Sequence, residues 1–347
     1  MLEEIEMLRR EIDRIDEELI ELIQRRLEIA MKIGLLKRER GAPIRDLTRE
    51  AEVEERWILL SKERNIPEGL AREIIKTLIR YSIAAQASLV ARSKKVAVIG
   101  YGGMARTLGE MMRLAGHKVM IGGRDPMKAK SLAASIGCEY GDPNDIISKS
   151  DYVVIALSRE AFTCGYVDNL ATYMKGKIVM DILSAKAGVY ERMASISKDL
   201  GFSYISTHPL FGPSILPYGE TIVLIPSNTG IEFLEEVMIF WSSIGLIPVV
   251  AGYDEHERAM AIVQVMPHIY MLALSEAIED LSRRYGIEYK VFRTHNMRKI
   301  EEVIERIKNN VDVIKEIQRY NRYAPEARKT GIDALIRVAR VFGGDYS

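Results

Sequence analysis

The stretch Lys94–Asp125, KKVAVIGYGGMARTLGEMMRLAGHKVMIGGRD, decides the fold of the central part of this 347-residue chain. Its apolar run Val96–Ile99 is rich in β-branched residues and is bounded by lysines and a glycine, which is typical of a buried parallel strand. An amphipathic helix is predicted to begin near Met104, and a second apolar run, His117–Ile121, follows it. The stretch therefore predicts a βαβ unit.

The turn between the first strand and the helix carries a glycine fingerprint, Gly100, Gly102 and Gly103. Glycines at this point let the backbone turn tightly and approach a pyrophosphate, which the helix N-terminus at Met104 then holds. The third fingerprint position is Ala105, which the pattern G-x-G-x-x-G/A allows. The three glycines and Met104 are therefore predicted to bind a dinucleotide cofactor.

The end of the second strand indicates which dinucleotide is bound. An NAD site usually has an acidic residue there, which accepts a hydrogen bond from the ribose 2′-hydroxyl. Here the strand ends at Ile121–Gly123 and Arg124 comes next, and a guanidinium can bind a 2′-phosphate bidentately. The sequence therefore favours NADP over NAD. Asp125 lies one or two positions late, and could serve the ribose only if the turn is unusual.

The composition limits the class of protein. A chain of 347 residues with 48% apolar residues predicts two or three globular domains, and equal numbers of acidic and basic residues, 49 each, argue against nucleic-acid binding. The cysteines, Cys138 and Cys164, lack metal-ligand spacing, so we expect no metal and a reduced, cytoplasmic protein. The acidic, helical segment from Leu2 argues against a signal peptide. No uncharged apolar run reaches about 18 residues, so no membrane partner is expected.

Residues 1–93 read as helix almost throughout. Apolar residues recur every three or four positions, which predicts a long helix packed against others: Ile5, Leu8, Ile12, Ile15, Leu19 and Leu22. The same stripe continues into Arg26 and then Lys37, where a cation is costly unless an anion is present. These two residues lie about 20° apart around the helix and about 16 Å along it, so they could bracket a small anion.

Two further helices are predicted after a break at Gly41–Pro43. Each places paired polar side chains on one face: Asp46–Arg64, with Asp46 as its N-cap and Arg49 and Glu50 behind it, and Glu68–Ala91, with Ser82 and Gln86. Taken singly, these residues fit an interaction module with solvated charges. That reading stays open from the residues alone.

Jointly, these positions resemble the site of the all-helical chorismate mutase family, and the resemblance covers the whole region. Carried across residue by residue, the family's site corresponds to Arg9, Arg26, Lys37, Asp46, Arg49, Glu50, Ser82 and Gln86. The resemblance implies that arginines clamp the two carboxylates of chorismate, while Lys37 and Gln86 donate to its ether oxygen. Asp46 and Glu50 would hold the ring hydroxyl.

The spacing of the two clamping arginines bears on the oligomeric state. Arg9 and Arg26 are about 25 Å apart on a straight helix, so one chain cannot easily bring both to one small ligand. The resemblance implies that Arg9 comes from a second subunit. An intertwined homodimer is therefore expected.

After the fingerprint, short buried strands alternate with helices, which is the doubly wound α/β pattern. The predicted strands are Asp151–Leu157, Lys177–Ile182, Phe202–Thr207, Thr221–Ile225 and Ile247–Val250. From Asp254 to about Val341 only helices are predicted. The predicted fold class is an all-α three-helix domain at 1–93, a Rossmann-like dinucleotide-binding domain at 94–252, and an all-α domain at 253–347. The resemblance described next implies that the last domain serves dimerisation and substrate binding.

Three motifs in this part resemble the prephenate dehydrogenase family: DILSAKAG at 181–188, THPLFGP at 207–213 and EHERAMAIVQVMPH at 255–268. With the region before them, they make the chain resemble a fused chorismate mutase/prephenate dehydrogenase. The resemblance implies a bifunctional isomerase and oxidoreductase of tyrosine biosynthesis. Its substrates would be chorismate and prephenate, and it would form 4-hydroxyphenylpyruvate with hydride transfer to NAD(P)⁺.

The dehydrogenase motifs suggest particular roles. His208 is the expected base, because the pKa of histidine lies near neutrality. By resemblance, Ser184 would hydrogen-bond this histidine and the substrate hydroxyl, and Lys186 and His268 would lie in the substrate pocket. His256 fits the motif, but is expected to cap or pair at the surface.

Two points stay open from the sequence. The family uses an arginine of the helical domain for the substrate carboxylate, and Arg293 is the best match, with Arg298 as the alternative. The substrate could also be arogenate, with the N-terminal helices acting only as a dimerisation or effector module.

Overall fold

The computed structural model describes residues 2–40, 46–87, 93–213 and 217–343. The predicted helix break at Gly41–Pro43 lies outside the described residues. The same holds for the last four residues of the third predicted helix, 88–91.

Three helices form the N-terminal part: α1 Leu2–Glu39, α2 Leu47–Glu63 and α3 Glu68–Ala87. Helix α3 packs against both α1 and α2. Asp46 caps α2 as predicted, since its carboxylate accepts a hydrogen bond from the backbone amide of Arg49 at 3.0 Å. The three predicted helices of this part are confirmed.

The first half of α1 extends past its neighbours. Its apolar stripe is 43–61% exposed: Ile5, Leu8, Ile12, Ile15, Leu19 and Leu22. Exposed apolar stripes of this length are typical of interaction surfaces.

A sheet of eight strands follows, in the order β3-β2-β1-β4-β5-β6-β7-β8. The strands are β1 Lys95–Ile99, β2 Lys118–Gly122, β3 Glu139–Tyr140, β4 Tyr152–Ile155, β5 Ile178–Asp181, β6 Ser203–Pro209, β7 Thr221–Pro226 and β8 Ile247–Val250. Strands β1 to β6 are parallel. All seven predicted strands, with Val96–Ile99 as β1 and His117–Ile121 as β2, are therefore present. The two-residue β3 escaped prediction because it is short and exposed.

The helices of this part cover both faces of the sheet. They are α4 Gly103–Leu114, α5 Pro126–Ile136, α6 Pro143–Lys149, α7 Arg159–Thr163, α8 Tyr166–Ala171, α9 Val189–Leu200 and α10 Leu234–Ser243. Two cores result, because alternate strand residues point to opposite faces. Val96 and Val98 pack into one core, and Ala97 and Ile99 pack into the other.

The sheet departs from a fully parallel arrangement at β7, which runs antiparallel to β6. A parallel pair needs a crossover connection, usually through a helix. In its described part, the connection from Leu210 to Glu220 contains no helix. The chain therefore returns directly alongside β6.

The C-terminal part is helical, as predicted. It comprises α11 Tyr253–Met260, a π-helix Ala261–Val265, α12 Met266–Tyr285, a 3₁₀ turn Tyr289–Phe292, α13 His295–Asn309, α14 Val311–Tyr320 and α15 Ala324–Val341. A second 3₁₀ turn, Ile231–Phe233, precedes α10.

One helical stretch bears on the expectation that no segment spans a membrane. Tyr253–Tyr285 is long and apolar enough to cross a membrane by length and composition, although no span was expected. The expectation rested on the lack of a run without charges, and a spanning helix tolerates a few charged residues. A single such helix is weak evidence for a span, and its first turns bury His256 and Glu257 in the protein.

Candidate active sites

The glycine turn lies at the point where the strand order reverses, between β1 and β4. Gly100 has a φ of +145°, and a Cβ there would collide with the carbonyl oxygen of Ala156, directly after β4. At Gly102, the N-cap of α4, a Cβ would meet no atom within 4 Å, so the turn is open on that side. The amides of Gly103 and Met104 begin the 12-residue helix α4. This cradle fits a dinucleotide pyrophosphate.

The carboxylate nearest to the tip of β2, that of Asp125, caps a helix. The Oδ1 atom of Asp125 accepts hydrogen bonds from the backbone amides of Met127 at 3.0 Å and Lys128 at 3.1 Å, which cap α5. The side chain of Arg124 is exposed, and its guanidinium lies 5.6 Å from the ring centroid of Tyr166. A cation is therefore presented at the tip, while the nearest carboxylate has a structural role.

His208, at the end of β6, is the centre of a buried polar cluster and is only 1% exposed. Its Nδ1 lies 2.9 Å from Nε2 of His256, and its Nε2 lies 3.4 Å from Nε2 of Gln264. Burial holds the pKa of His208 well below its usual value, and His256 and the cation of Lys186 lower it further. The imidazole is therefore neutral at neutral pH and can accept a proton.

Lys186 is fully buried beneath this cluster. Its Nζ donates to Oδ1 of Asp181 at 2.9 Å and to the carbonyl oxygen of Thr207 at 2.7 Å. Asp181 also accepts from the hydroxyl of Tyr204 at 2.7 Å. Burial lowers the pKa of Lys186, and the carboxylate of Asp181 opposes that shift. The pair joins the ends of β5 and β6, and sets a positive charge behind His208.

Arg159 holds the loop that carries Ser184. Nη1 of Arg159 donates to the carbonyl oxygen of Ala185 at 3.2 Å, Nη2 donates to that of Ala187, and the guanidinium lies 3.8 Å from the ring centroid of Tyr320. Ser184 itself is half-buried. Within the described residues it makes no hydrogen bond to His208.

His256 corrects the prediction that this residue caps or pairs at the surface. Its side chain is 1% exposed and contacts His208 directly. A signal was present in the sequence, since His256 and Met260 are four residues apart on α11 and therefore share a face. Both are buried.

The π-helix presents a residue that the sequence analysis missed, Gln264, to His208. Nε2 of Gln318 donates to the carbonyl oxygen of Val265 at 2.8 Å and holds the end of this segment. π-helical turns occur often at functional sites. His268 follows Gln264 by four residues. It is half-buried, and burial lowers the pKa of its ring.

Arg293 lies far from this cluster within one chain. Its side chain contacts the carbonyl oxygen of Lys290 and the carboxylate of Glu301, at 2.8 and 3.1 Å. Helix α12 separates it from His268, and the 17 residues from there to the end of that helix span about 25 Å. Arg298 follows in α13, where its Nη2 lies 3.5 Å from the carbonyl oxygen of Arg293.

A second cluster lies between α1 and α3. Nη1 of Arg26 donates to the carbonyl oxygen of Leu78 at 3.0 Å and to the hydroxyl of Ser82. Burial lowers the pKa of the Arg26 guanidinium. Ser82 and Gln86 are 7% and 9% exposed, and Oε1 of Gln86 is buried without a hydrogen-bond partner among the described residues.

Gly34 allows the two helices to approach at this cluster. A Cβ at Gly34 would lie 2.8 Å from Cα of Gln86 and 3.0 Å from its Cβ. Lys37 is half-buried one turn further along α1. Because residues three apart share a helix face, Lys37 lies on the side of α1 that faces Gln86.

The other predicted residues of this cluster are at the surface. Arg9 is exposed and pairs with Glu6 at 2.7 Å. Asp46 caps α2, while Arg49 is exposed and pairs with Glu52 at 2.8 Å. Glu50 is half-buried in the first turn of α2.

Comparison with known proteins begins with these helices. Residues 8–87 match the family described as chorismate mutase type II. A chorismate mutase from Methanocaldococcus jannaschii is 34% identical over 86 residues, which are 25% of this chain and 87% of that protein. The chain belongs to the type II chorismate mutase family.

The rest of this chorismate mutase family member is similar to oxidoreductases. Residues 95–185 match the family described as "NADP oxidoreductase coenzyme F420-dependent". The T-protein of Haemophilus influenzae is 23% identical over 381 aligned residues, which cover 100% of this chain and 94% of that protein. A probable arogenate/prephenate dehydrogenase of Methanocaldococcus jannaschii is 26% identical over 248 residues, which cover 70% of this chain and 55% of that protein.

Solved structures support the dehydrogenase fold. Prephenate dehydrogenase from Aquifex aeolicus, in complex with hydroxyphenyl propionate and NAD⁺, has a TM-score of 0.56 and 16% identity, over 72% of this chain and 89% of that one. Arogenate dehydrogenase from Synechocystis has the same TM-score and identity, over 71% and 91%. The predicted arrangement, a helical chorismate mutase domain followed by a dehydrogenase-type nicotinamide dinucleotide fold and further helices, is thus confirmed.

Proposed function

We propose that this chain is a bifunctional enzyme of tyrosine biosynthesis. It rearranges chorismate to prephenate and then oxidatively decarboxylates prephenate to 4-hydroxyphenylpyruvate, with hydride transfer to NAD(P)⁺. The observation that carries the proposal is the buried, neutral His208 in the dehydrogenase-type fold of a chain whose first helices belong to the chorismate mutase family.

The mutase step needs no acid or base, because the rearrangement is pericyclic. The site has to hold the compact conformer and stabilise negative charge that develops on the ether oxygen. Arg26, fixed by Ser82, would bind a carboxylate of chorismate. Lys37 and Gln86 would donate to the ether oxygen, with Asp46, Arg49 and Glu50 completing the site.

A matched pair of glycines tests this geometry. We expect Gly34→Ala to lower mutase turnover about 10- to 100-fold, because the new methyl group displaces the backbone of Gln86 and a shift of about 1 Å is enough for such a loss. Gly69→Ala is the control, since a Cβ at Gly69 would meet no atom within 4 Å. Chorismate consumption is the measurement. Equal activity of the two variants would contradict the assignment of Gln86.

The dehydrogenase step uses the cluster around His208. The nicotinamide dinucleotide supplies the hydride acceptor, and Gly100, Gly102, Gly103 and Met104 would hold its pyrophosphate. His208 would take the proton of the ring hydroxyl on Nε2 as hydride leaves C4, and the ring carboxylate then leaves as CO₂, driven by aromatisation.

Other residues would position the substrate of this step. Ser184 and His268 would contact prephenate, and Lys186 would act from beneath the pocket through its charge. The family's arginine, Arg293, would have to act across a dimer, because α12 separates it from His268 in its own chain.

We infer that NADP⁺ is the preferred oxidant, because Asp125 is engaged in capping α5 and Arg124 is presented at the strand tip. We expect Arg124→Ala to raise the KM for NADP⁺ about 10- to 100-fold, since a charge-assisted contact contributes about 1.5–3 kcal/mol, with the KM for NAD⁺ nearly unchanged. Lys130→Ala removes an exposed cation of α5 and serves as the control. An equal change in both KM values would point to NAD⁺ as the natural oxidant.

We also infer a cytoplasmic homodimer. Its support is the exposed apolar stripe of α1 and the position of Arg9, about 25 Å from Arg26 on one continuous helix. In an intertwined dimer, Arg9 of one subunit would reach the site of the other. No nucleic acid or membrane partner is proposed.

A coupled assay on purified protein tests the function. Chorismate is supplied with NADP⁺ and then with NAD⁺, and reduced nicotinamide and 4-hydroxyphenylpyruvate are followed. Turnover from chorismate supports both activities, whereas turnover from prephenate alone would leave the helical domain as a dimerisation or effector module. Arogenate is the second candidate substrate, because relatives are named for it, and it is assayed in parallel.

A further inference from the structure

Three buried side chains, those of Glu257, His256 and His208, form a row that ends at Nε2 of His208. Oε1 of Glu257 lies 3.4 Å from Nδ1 of His256. Nε2 of His256 lies 2.9 Å from Nδ1 of His208, and Nε2 of His208 faces the amide of Gln264 at 3.4 Å. Glu257 is 0% exposed, and neither its carboxylate oxygens nor Nδ1 of His256 have a hydrogen-bond partner among the described residues, so the two side chains interact through their charges at 3.4 Å.

The order of donors and acceptors follows from the carboxylate. An ionised carboxylate only accepts, so the proton of His256 is favoured on Nδ1, which faces Glu257. Nε2 of His256 then carries a lone pair, and Nδ1 of His208 must donate to it. This leaves the lone pair of His208 on Nε2. The amide of Gln264, placed with its Nε2 toward that atom, donates to it in the same sense.

The charges around the row have opposite effects. Burial lowers the pKa of both histidines, and the cation of Lys186 lowers them further. Glu257 raises the pKa of His256, and Asp181 adds to this. When His208 takes a proton, the buried carboxylate is the anion at the other end of the row.

We propose that Glu257 and His256 are positioning residues that act as one unit: they hold His208 in the tautomer with its proton on Nδ1, and stabilise the imidazolium that forms during oxidation. In the step, the substrate hydroxyl proton bonds to Nε2 of His208, while the Nδ1 proton stays hydrogen-bonded to His256. The inference deepens the proposed dehydrogenase function and rests on it.

The tautomer can be tested without catalysis. ¹⁵N NMR of the full-length protein, labelled at histidine, reports which ring nitrogens carry protons. His208 is expected to be protonated on Nδ1 in the wild type, and Glu257→Leu is expected to give a mixture of tautomers. A wild-type His208 protonated on Nε2 would overturn the proposal, whatever substrate the enzyme uses.

Steady-state kinetics test the effect of the Glu257 charge. We expect Glu257→Gln to lower kcat/KM for prephenate about tenfold, and to move the acidic limb of its pH profile about one unit to lower pH. The sign follows because losing the anion makes the imidazolium of His208 less stable. His256→Gln, whose side-chain oxygen can accept from His208, is expected to retain more activity than His256→Leu.

Control variants separate this effect from misfolding. Glu276→Gln removes an exposed carboxylate of α12 and should leave the pH profile unchanged, and mutase turnover should be the same in all variants. Suppose that the wild-type protein oxidises prephenate or arogenate, and that Glu257→Gln keeps both the rate and the acidic limb of the pH profile. The positioning role of Glu257 is then refuted and the proposed function stands. If the wild type oxidises neither, the function fails, and the NMR result alone decides the tautomer.

Discussion

His208→Asn is expected to lower prephenate oxidation by about 10²–10⁴-fold, because asparagine cannot take the hydroxyl proton as hydride leaves. Chorismate rearrangement should be unchanged, since its proposed site lies between α1 and α3. The two rates are measured on the same preparation, as reduced nicotinamide formed from prephenate and as chorismate consumed. The loss should appear in kcat rather than only in KM.

The pH profile of the wild type tests the direction in which the pKa of His208 is shifted. Because burial and Lys186 lower the pKa of His208, its base form persists through neutrality, and oxidation should slow only at acidic pH. His295→Asn is the control, since His295 is an exposed histidine at the start of α13. A His208→Asn enzyme that keeps a tenth or more of wild-type kcat would remove His208 from the role of base.

Lys37→Ala should have the opposite pattern, with mutase turnover lowered by about 10²–10³-fold. A fixed cation beside the ether oxygen acts only as charge develops there, so its removal costs rate more than affinity. Dehydrogenase turnover from added prephenate should remain. Lys32→Ala, an exposed lysine of the same helix, is the control.

Subunit mixing extends this experiment to the dimer. Lys37→Ala and Arg9→Ala chains are each expected to be inactive as mutases. In their hybrid dimer one site combines the intact Lys37 of one chain with the intact Arg9 of the other, so random mixing should restore about a quarter of wild-type activity. If mixing restores nothing, Arg9 acts within its own chain or has no role. If either single change removes both activities from a folded protein, independent sites are the wrong description.

Most of the fold could be predicted from local patterns in the sequence. The glycine turn after Val96–Ile99 and the capping residue Asp46 act over a few positions, so they could be read directly. The direction of β7 could not be predicted in this way. The pairing of a strand depends on the path of the loop before it, and not on the strand's own residues. The approach of Gly34 to Gln86 also joins residues that are far apart in the chain.

The site was predictable in part for the same reason. His208 was proposed because it follows a predicted strand, and ligands bind at the strand ends in this class of sheet. His256 was misplaced because a histidine in the first turns of a helix reads equally well as a surface residue. Only the packing of α11 against the sheet shows that His256 and Glu257 face inward.

Arg159 ties the dehydrogenase-type sheet to the C-terminal helices. One guanidinium holds two carbonyl groups of the Ser184 loop and stacks on Tyr320 of the helical part. A hinge motion that carries Tyr320 away must therefore either break the stack or pull the loop with it. The position of the Ser184 loop is therefore mechanically coupled to the position of Tyr320.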